Sequence, residues 1–581
     1  MTKITRTLSL IAALLCSLSA FAEKWINPFD LGYPVVQNQG WTDEIGKTYY
    51  RLPDRAQANV RGPVWNLSRH SAGLAIYFYS NAPEIKLRYK IEGPEAMHHM
   101  PATGVSGTDL YGIDQHGQSR RFFGYFNHRN DTVWTRFVND RMNEFHDKGY
   151  EFRLYLPLYN GVGNLEIGVP DSCYIEFIPK SEERPIVVYG TSIEHGACAS
   201  RPGMAWTTQV QRALDVPLIN LGFSGNGRLE QGVLDLMCEL DARLYILGCF
   251  ANLTESSPEE LDSLVTNAVA TLRKTSDAPI IIFEHPGFSD APVRKSQQEI
   301  IDRLNSTGKK IVARLKAEGV KDLYYVTREE IGIPADGWVD DVHPNDLGMT
   351  YFAQAMDKVI REAIHMPKGN LSTTIPVSQR REAASYEWQK RHRAVMDRNR
   401  ANPPKAVIIG NSITHFWGGE PVGHVVNGKK VWDKKLAKAG FGNLGFGWDR
   451  IENGLWRVYH GELDGYDAEQ VVIMLGTNNY GINSPEEITE GLRFLIRAIR
   501  DRQPAATIKM VGILPRRGGV EWVASTNEKI KAMAAEENCV YVNPGVKMLN
   551  ADGSLNESLF TDGLHPNESG YNLIVDDVIA K

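Results

Sequence analysis

At 581 residues the chain is too long for a single hydrophobic core, and its length predicts about three or four domains of roughly 150 residues each. The formal net charge of −6, with no block of lysine and arginine, argues against nucleic acid as a partner. Beyond the first 22 residues no stretch is apolar enough to span a bilayer, so we expect a globular protein without a membrane span.

The first 22 residues carry the pattern of a signal peptide. Lys3 and Arg6 precede the apolar run Leu8–Leu15, and Ala20-Phe21-Ala22 offers small residues for cleavage. We therefore expect residues 1–22 to be removed and the mature protein to be exported, either to the periplasm or to the medium.

Five cysteines follow the signal peptide, and their spacing matches neither a disulfide framework nor a zinc site. They are Cys173, Cys198, Cys238, Cys249 and Cys539. In the fold predicted below, the loops that carry Cys198 and Cys249 lie at one sheet edge. A local disulfide between these two and a pair of buried free thiols both remain open.

Residues 23–180 alternate apolar and polar side chains, as half-buried strands do. Glu84–Ile91 and Glu151–Leu156 have a period of two, and helix-length apolar periodicity is scarce. Many short strands separated by Gly, Pro and Asn predict an antiparallel β-sandwich of the jelly-roll kind. The short connection Ile178–Arg184 predicts that this domain packs against the next one.

From Arg184 onward, buried strands alternate with helical stretches such as Ser296–Ala317, which predicts parallel sheets covered on both faces. This scheme occurs twice, in residues 181–365 and 404–581. The predicted strands are Ile186–Tyr189, Leu218–Leu221, Leu244–Leu247, Ile280–Phe283 and Leu323–Val326, then Ala406–Ile409, Val471–Leu475, Ile508–Leu514 and Val540–Val542. The predicted fold class is α/β: a β-sandwich followed by two three-layer, flavodoxin-like domains.

Residues 366–403 separate the two α/β domains. Met366–Val377 is rich in Pro, Gly, Ser and Thr and predicts a linker. Arg380–Arg400 predicts a basic helix whose charges form a solvated face.

One motif is repeated and carries the chemistry. A buried strand ends in Gly190-Thr191-Ser192-Ile193, and a second strand ends in Gly410-Asn411-Ser412-Ile413. Each serine is followed, late in its domain, by an Asp-x-x-His-Pro-Asn motif, with Asp340 and His343 in the first domain. Asp562 and His565 stand in the same places in the second. The serines are 220 residues apart and the histidines 222, which indicates a duplicated unit. A serine with a histidine and an oriented carboxylate is the set that acyl transfer needs.

These motifs resemble the sequence blocks of the SGNH (GDSL) esterase family, so both units look like members of it. Gly107-Thr108-Asp109-Leu110-Tyr111 resembles the signature of a β-domain that precedes certain of these esterases, and the second unit resembles platelet-activating-factor acetylhydrolase-type members. The resemblance implies serine nucleophiles (Ser192, Ser412), histidine bases (His343, His565) and orienting aspartates (Asp340, Asp562), without any metal or cofactor.

The oxyanion donors are carried over from the same resemblance. Gly225 follows the second strand of the first unit, and Trp448 stands in its place in the second, where a backbone N–H is the expected donor. Asn252 and Asn478 are the expected side-chain donors, although Asn252 comes two residues later than the family's pattern.

Several neighbouring residues are expected to have no role in catalysis. Asp341 competes with Asp340 as the acid, but an offset of three from the histidine favours Asp340. We expect Asp109 to be a turn aspartate and Tyr111 to be a core tyrosine. No special role is expected for Glu194, His195 and His415 beside the serines.

Export and the resemblance together suggest removal of O-acyl groups, above all O-acetyl groups, from an extracellular oligo- or polysaccharide. Two alternatives stay open: a lipase for lipid or short-chain esters, and a glycan-binding protein in which one hydrolase unit is inactive. The large ring of Trp448 predicts that the two clefts differ, because it narrows the second one and offers a face for a sugar.

Overall fold

The computed structural model describes residues 22–129, 131–139, 148–381 and 385–580, so the predicted signal peptide lies outside the described residues except for residue 22. Two compact units divide the chain: residues up to 364 without the turn 114–118, and the remainder. None of the described helices combines the length and apolarity that crossing a membrane requires.

The first unit begins with a β-sandwich of two antiparallel sheets. Its strands are β1 (Glu23–Ile26), β2 (Val36–Gln37), β3 (Ala75–Ser80), β4 (Glu84–Ile91), β5 (Asp109–Ile113), β6 (Ser119–Phe122), β7 (Gly124–Arg129), β8 (Thr132–Val138), β9 (Tyr150–Tyr155), β10 (Val162–Pro170) and β11 (Ile175–Phe177). One sheet has the order β1-β10-β4-β8-β7 and the other β11-β3-β9-β5-β6, with β2 beside β3. Short helices lie at Thr42–Ile45, Gly62–Leu67 and Ala102–Val105.

Strict alternation explains why these residues form a sandwich. Ile85, Leu87 and Tyr89 of β4 are buried in the core between the sheets, whereas Lys86 and Arg88 point outward. Because side chains in a strand point to opposite faces with a period of two, one face is covered and the other solvated.

The rest of the first unit is a parallel sheet of five strands with helices on both faces. The strands are β12 (Ile186–Gly190), β13 (Leu218–Gly222), β14 (Leu244–Gly248), β15 (Ile280–Phe283) and β16 (Leu323–Val326), in the order β13-β12-β14-β15-β16. The helices are Ser192–His195, Trp206–Leu214, Gln231–Met237, Pro258–Arg273, Lys295–Ala317, Arg328–Ile331 and Asp346–Ala363. This is the doubly wound, flavodoxin-like order, in which ligands bind at the carboxyl ends of the strands beside the first strand.

The second unit repeats that sheet. Its strands are β17 (Ala406–Gly410), β18 (Phe441–Gly445), β19 (Gln470–Met474), β20 (Thr507–Val511) and β21 (Val540–Val542), in the order β18-β17-β19-β20-β21. The helices are Trp388–Ala401, Ser412–His415, Lys429–Val431, Ile451–Tyr459, Pro485–Arg502, Val520–Glu536 and Glu568–Ile579. The predicted fold class is therefore confirmed: an antiparallel N-terminal part and two parallel α/β sheets.

Residues 366–403 are more buried than the sequence suggested. Thr373 is fully buried and donates through Oγ1 to the carbonyl of Glu487, 2.8 Å away. The helix begins at Trp388, and the prediction of a solvated basic face is wrong for Arg391, which is buried and donates to the carbonyls of Gly445 and Pro421 at 2.8 and 2.7 Å. This segment therefore supports the second sheet.

The β-sandwich packs against the first parallel sheet, as the short connection predicted. The buried guanidinium of Arg51 donates to the carbonyls of Asn220 (3.2 Å) and Gly222 (2.8 Å), at the end of β13. Tyr155 Oη donates to the amide oxygen of Gln211 at 2.7 Å. All five cysteines of the described residues are free thiols, with Cys198 and Cys249 both buried, so of the two alternatives the structure has the free pair.

Candidate active sites

Each motif serine begins a short helix directly after the first strand, in chain order, of its parallel sheet. Ser192 follows β12 and opens the helix Ser192–His195, whose N-cap is Thr191; Thr191 Oγ1 accepts from the N–H of Ile193 at 3.2 Å. In the second unit Asn411 caps the helix Ser412–His415 in the same way, at 2.9 Å. Because the first N–H groups of a helix have no partner within it, the serine lies beside donors that suit an anion.

In the first unit the serine, the histidine and the aspartate form a continuous chain of hydrogen bonds. Ser192 Oγ lies 2.8 Å from His343 Nε2, and His343 Nδ1 lies 2.8 Å from Asp340 Oδ2. The other oxygen of Asp340 accepts the backbone N–H groups of Val342 (3.0 Å) and His343 (2.7 Å). The carboxylate is thus held at both oxygens, and one of them faces the imidazole.

The second unit has the same chain of contacts. Ser412 Oγ lies 2.8 Å from His565 Nε2, and His565 Nδ1 lies 2.7 Å from Asp562 Oδ2. Asp562 Oδ1 accepts the N–H groups of Leu564 (2.9 Å) and His565 (2.8 Å). The six residues predicted to be catalytic are therefore brought together three by three.

The Pro-Asn that ends each motif fixes the histidine loop. Asn345 caps the helix Asp346–Ala363 by accepting from the N–H groups of Leu347 and Gly348, and Asn567 caps Glu568–Ile579 in the same way. Each asparagine also donates back to the loop: Asn345 Nδ2 lies 2.7 Å from the carbonyl of Asp336. A helix cap two residues after each histidine thus anchors the imidazole opposite the serine.

The geometry distinguishes the two candidate acids of the first unit. Asp340 faces the imidazole, whereas Asp341 is exposed and its carbonyl accepts the N–H of Ser289 at 2.7 Å. Burial raises the pKa of Asp340, but the hydrogen bonds from His343 and Val342 outweigh it and keep that pKa below its ordinary value. Burial and hydrogen bonds act in the same opposing way on Asp562, whose pKa is also lowered.

The two predicted oxyanion loops have the same unusual backbone. Gly225 has φ +68° and Trp448 has φ +62°, both in the left-handed region. Glycine adopts this conformation freely, but a tryptophan there is uncommon. Next to Trp448, Asp449 is buried and accepts from the buried guanidinium of Arg457 (2.8 Å) and from Trp388 Nε1 (2.7 Å), which holds the loop in place. Trp448 is 51 % exposed to solvent.

Both predicted asparagines contact these loops. Asn252 Oδ1 accepts the N–H of Gly227 at 3.0 Å, and Asn478 Nδ2 donates to the carbonyl of Asp449 at 3.0 Å. Each lies in a 3₁₀ turn after the third strand of its sheet, at Phe250–Asn252 and Thr477–Asn479. The late position of Asn252 in the sequence therefore does not prevent it from reaching the loop of Gly225.

A histidine three residues after each serine is buried against a tyrosine from the preceding segment. His195 stacks on Tyr159 of the β-sandwich with centroids 4.1 Å apart, and its Nε2 lies 2.8 Å from the carbonyl of Leu158. His415 meets Tyr386 edge to face at 4.9 Å. Burial lowers the pKa of both histidines, so they are neutral packing groups that hold the serine helix.

The signature aspartate of the β-domain has a different role from the one predicted. Asp109 does not lie in a turn; it begins β5 and is almost completely buried. It accepts from the guanidinium of Arg201, from the N–H of Gly203 at 3.1 Å and from Arg121 at 3.1 Å, while Tyr111 Oη lies 2.7 Å from Arg201. Asp109 and Tyr111 therefore form hydrogen bonds to the loop that follows the helix Ser192–His195.

Three groups near the serines could not be assigned from the sequence. The ring of His99, on the β-sandwich, lies 5.5 Å from the ring of His343, whereas in the second unit the ring of Phe416 lies 4.9 Å from that of His565. Glu194 is fully buried and accepts from the N–H (2.6 Å) and the Oγ1 (2.9 Å) of its cap, Thr191. Burial raises the pKa of Glu194 to about 7.

Comparison with known proteins agrees with this architecture. The N-terminal domain of SGNH-hydrolase-type esterases (GxDLY) matches residues 23–175. The GDSL-like lipase/acylhydrolase family matches twice, at residues 183–361 and 408–573.

Similar proteins include one solved structure and several curated proteins. The structure is that of a GDSL-like lipase from Bacteroides ovatus, with 29 % sequence identity, a TM-score of 0.54, and coverage of 59 % of this chain and 98 % of that one. Platelet-activating factor acetylhydrolase IB subunit alpha1 from Bos taurus and from Homo sapiens are each 24 % identical over 189 residues. These residues make up 32 % of this chain, 77 % of the Bos taurus protein and 78 % of the Homo sapiens protein. The likeness supports the predicted resemblance of the second unit to platelet-activating-factor acetylhydrolases.

Fold, site and family matches together define a hydrolase that acts on esters. The chain belongs to the GDSL/SGNH hydrolases, and it consists of a GxDLY N-terminal domain followed by two GDSL/SGNH hydrolase domains in tandem.

Proposed function

We propose that the protein is an exported carbohydrate esterase that removes O-acetyl groups at two separate serine sites. The observation that carries the catalytic part is the unbroken hydrogen-bonded chain from serine through histidine to aspartate in both units. Such a chain is the minimum that acyl transfer by an activated serine requires.

The roles follow from the contacts. The imidazole of His343 accepts the proton of Ser192 as its Oγ bonds to the ester carbonyl carbon. His343 then returns that proton to the leaving alcohol, so that an acyl-serine remains, and water cleaves it by the same steps in reverse order. Asp340 holds the Nδ1 proton of His343 and stabilises the imidazolium. His565 and Asp562 do the same for Ser412.

The negative charge that develops on the ester carbonyl oxygen during the reaction must be stabilised by hydrogen-bond donors near the serine. In the first unit the donors are the backbone N–H groups of Ser192 and Gly225 and the side-chain amide of Asn252. In the second unit they are the backbone N–H groups of Ser412 and Trp448 and the side-chain amide of Asn478. Loss of one such donor typically costs about 10²- to 10³-fold in rate.

Exposed aromatic rings support a carbohydrate substrate. Trp448, on the predicted oxyanion loop of the second unit, is a half-exposed aromatic residue. On the outer face of the β-sandwich, Trp134 of β8 is 39 % exposed and meets Trp25 at 5.9 Å, and Arg88 lies over the Trp25 ring at 4.3 Å. Aromatic faces beside charged hydrogen-bonding groups suit sugar rings, which have an apolar face and polar edges.

The alternatives are a lipid or short-chain ester lipase and a glycan-binding protein with one inactive unit. An enzyme that embeds in lipid would be expected to carry an amphipathic apolar helix, and the helices that begin at the two serines are only four residues long. The matching serine, histidine and aspartate contacts in both units favour two active sites over one.

A release assay tests the proposal. The full-length protein and its Ser192→Ala and Ser412→Ala variants are incubated with acetylated polysaccharides and with short- and long-chain p-nitrophenyl esters. We expect each variant to lose part of the acetate release, in proportions that depend on the substrate, and the double variant to lose nearly all. Preference for long acyl chains would favour the lipase, and one single variant that abolishes all turnover would show the other unit to be inactive.

Trp448→Gly tests the sugar contact. Because glycine suits φ +62°, the loop should keep its shape while the ring is lost. In a Ser192→Ala background we expect KM for polysaccharide to rise several-fold while kcat for a small ester changes little. Equal effects on both substrates would contradict a stacking role.

A further inference from the structure

We propose that the first active site binds a divalent transition-metal ion, with Zn²⁺ as the physiological example, and that the bound ion reversibly switches this site off. The proposal rests on the proposed function of His343 as a base and adds a mode of regulation. Four groups from three distant segments converge there: the side chains of His99, Cys198, Asp340 and His343 have ligand atoms within 4.8 Å of one another.

The donor set suits zinc. Two imidazoles, one thiolate and one carboxylate are all ligands that Zn²⁺ takes in tetrahedral sites, at about 2.0–2.3 Å. Bonds of that length place the ligand atoms roughly 3.3–3.8 Å apart. Since all four ligand atoms lie within 4.8 Å of one another, no pair has to close by more than about 1–1.5 Å.

The two groups that take no part in the serine–histidine–aspartate chain differ in burial. Cys198 is buried, while His99 is exposed on the β-sandwich, with its ring 5.5 Å from that of His343 and tilted by 31°. The backbone of Cys198 is left-handed, with φ +65°, a conformation that is uncommon for residues other than glycine. The residue with the same offset from the serine in the second unit is Gly418, which has no side chain to bind a metal.

Metal binding and catalysis exclude each other because they use the same electron pairs. When His343 and Asp340 coordinate the ion, the imidazole lone pair can no longer accept the proton of Ser192. The thiol S–H bond of Cys198 breaks, a sulfur–metal bond forms, and the proton leaves to solvent. No electron is transferred, so a chelator restores the site.

The second unit is an internal control. The ring beside His565 is that of Phe416, 4.9 Å away, which cannot bind a metal. Gly418 replaces the thiol. Across the described part of the chain, the group around His343 is the single cluster of this kind.

The experiment measures each unit in the full-length chain. Ser412→Ala leaves the first site and Ser192→Ala leaves the second, and both are titrated with buffered free Zn²⁺. We expect the Ser412→Ala protein to lose at least 90 % of its turnover and to regain it with EDTA, while the Ser192→Ala protein keeps its rate. His99→Ala and Cys198→Ala are each made in the Ser412→Ala background, and the activity of each variant is expressed relative to its own metal-free rate. Each substitution should raise the inhibitory zinc concentration about tenfold or more.

A second readout does not depend on turnover. Co²⁺ titrated into the full-length protein should give a thiolate-to-cobalt charge-transfer band in the near ultraviolet, and Cys198→Ser should abolish it. Equal zinc inhibition of both units would overturn the proposal, as would the lack of a band. A band without inhibition would overturn the switch, and a band in a protein that hydrolyses no ester would refute the proposed function but leave the metal site standing.

Discussion

Replacing Asp340 by asparagine tests whether this carboxylate acts through the histidine tautomer. In the structure one oxygen of Asp340 accepts two backbone N–H groups, at 3.0 and 2.7 Å, and the other faces His343 Nδ1 at 2.8 Å. An asparagine keeps its carbonyl oxygen on the two backbone donors, because its NH₂ group cannot accept them. The NH₂ group then faces Nδ1, and it forces the imidazole proton onto Nε2.

A proton on Nε2 removes the general base, since that atom is 2.8 Å from Ser192 Oγ and must accept the serine proton. The same substitution in a serine protease, which is a worked case of this effect, costs about 10⁴ in kcat. We expect a loss of that order, equivalent to about 5 kcal/mol of transition-state stabilisation. KM should change little, because Asp340 is expected to act through His343 rather than on the substrate.

The assay uses the Ser412→Ala protein, so that only the first unit turns over a small acetyl ester. Urea unfolding shows whether the variant is folded, and Asp341→Asn serves as the matched control, because Asp341 is exposed and one residue away. The control should stay within about twofold of its parent. A loss of less than tenfold in Asp340→Asn, or an equal loss in the control, would refute the assignment of Asp340.

Three further outcomes are expected. Asn478→Ala in the Ser192→Ala background should lower kcat by about 10²-fold with KM nearly constant, whereas a change in KM alone would make the residue a binding group. Because burial raises the pKa of Glu194 to about 7, from 4.5, its contribution to stability is complete below pH 4.5 and falls as the pH rises to 7 and beyond. This loss amounts to at most about 3 kcal/mol. Urea unfolding at pH 5 and 8 measures it as the difference in unfolding free energy, and Glu194→Gln should make that difference smaller. An unchanged difference would contradict the raised pKa. Asp109→Asn leaves the charge of Arg201 without its buried partner, and it should destabilise the first unit by about 3 kcal/mol and lower its kcat. Arg121→Gln, which alters a more exposed contact of Asp109, should cost less than about 1 kcal/mol, and equal effects would refute the special role of Arg201.

The sequence predicts best what is local. A β-branched run that ends in Gly-x-Ser, and an Asp-x-x-His-Pro-Asn loop, each contain their own strand, cap or turn chemistry, so both could be located in the chain without the structure. The strand Phe441–Gly445 escaped prediction because two of its five residues are glycines, which strands disfavour. Burial of Arg391 also escaped, because the carbonyls that it binds lie more than twenty residues away.

Groups that meet only in three dimensions could not be found from spacing. Asn252 reaches its loop because it lies four residues after the end of its strand, as Asn478 does, although its distance from the motif glycine differs. Asp109 is recognisable as a signature residue, but its partner Arg201 is 92 residues away. The cluster of His99, Cys198 and His343 draws on three segments, so no cysteine-histidine spacing could indicate it.

The serine and the histidine of each site are far apart in the sequence, so the activity of that site reports whether its unit is folded. Ser192 and His343 are 151 residues apart, and Ser412 and His565 are 153 apart, so each pair meets only while the whole intervening sheet is assembled. If the two sites prefer different esters, one sample carries two internal reporters of denaturation. Heating or urea would then extinguish the two activities at separate midpoints, and the difference between them would measure how independently the two units unfold.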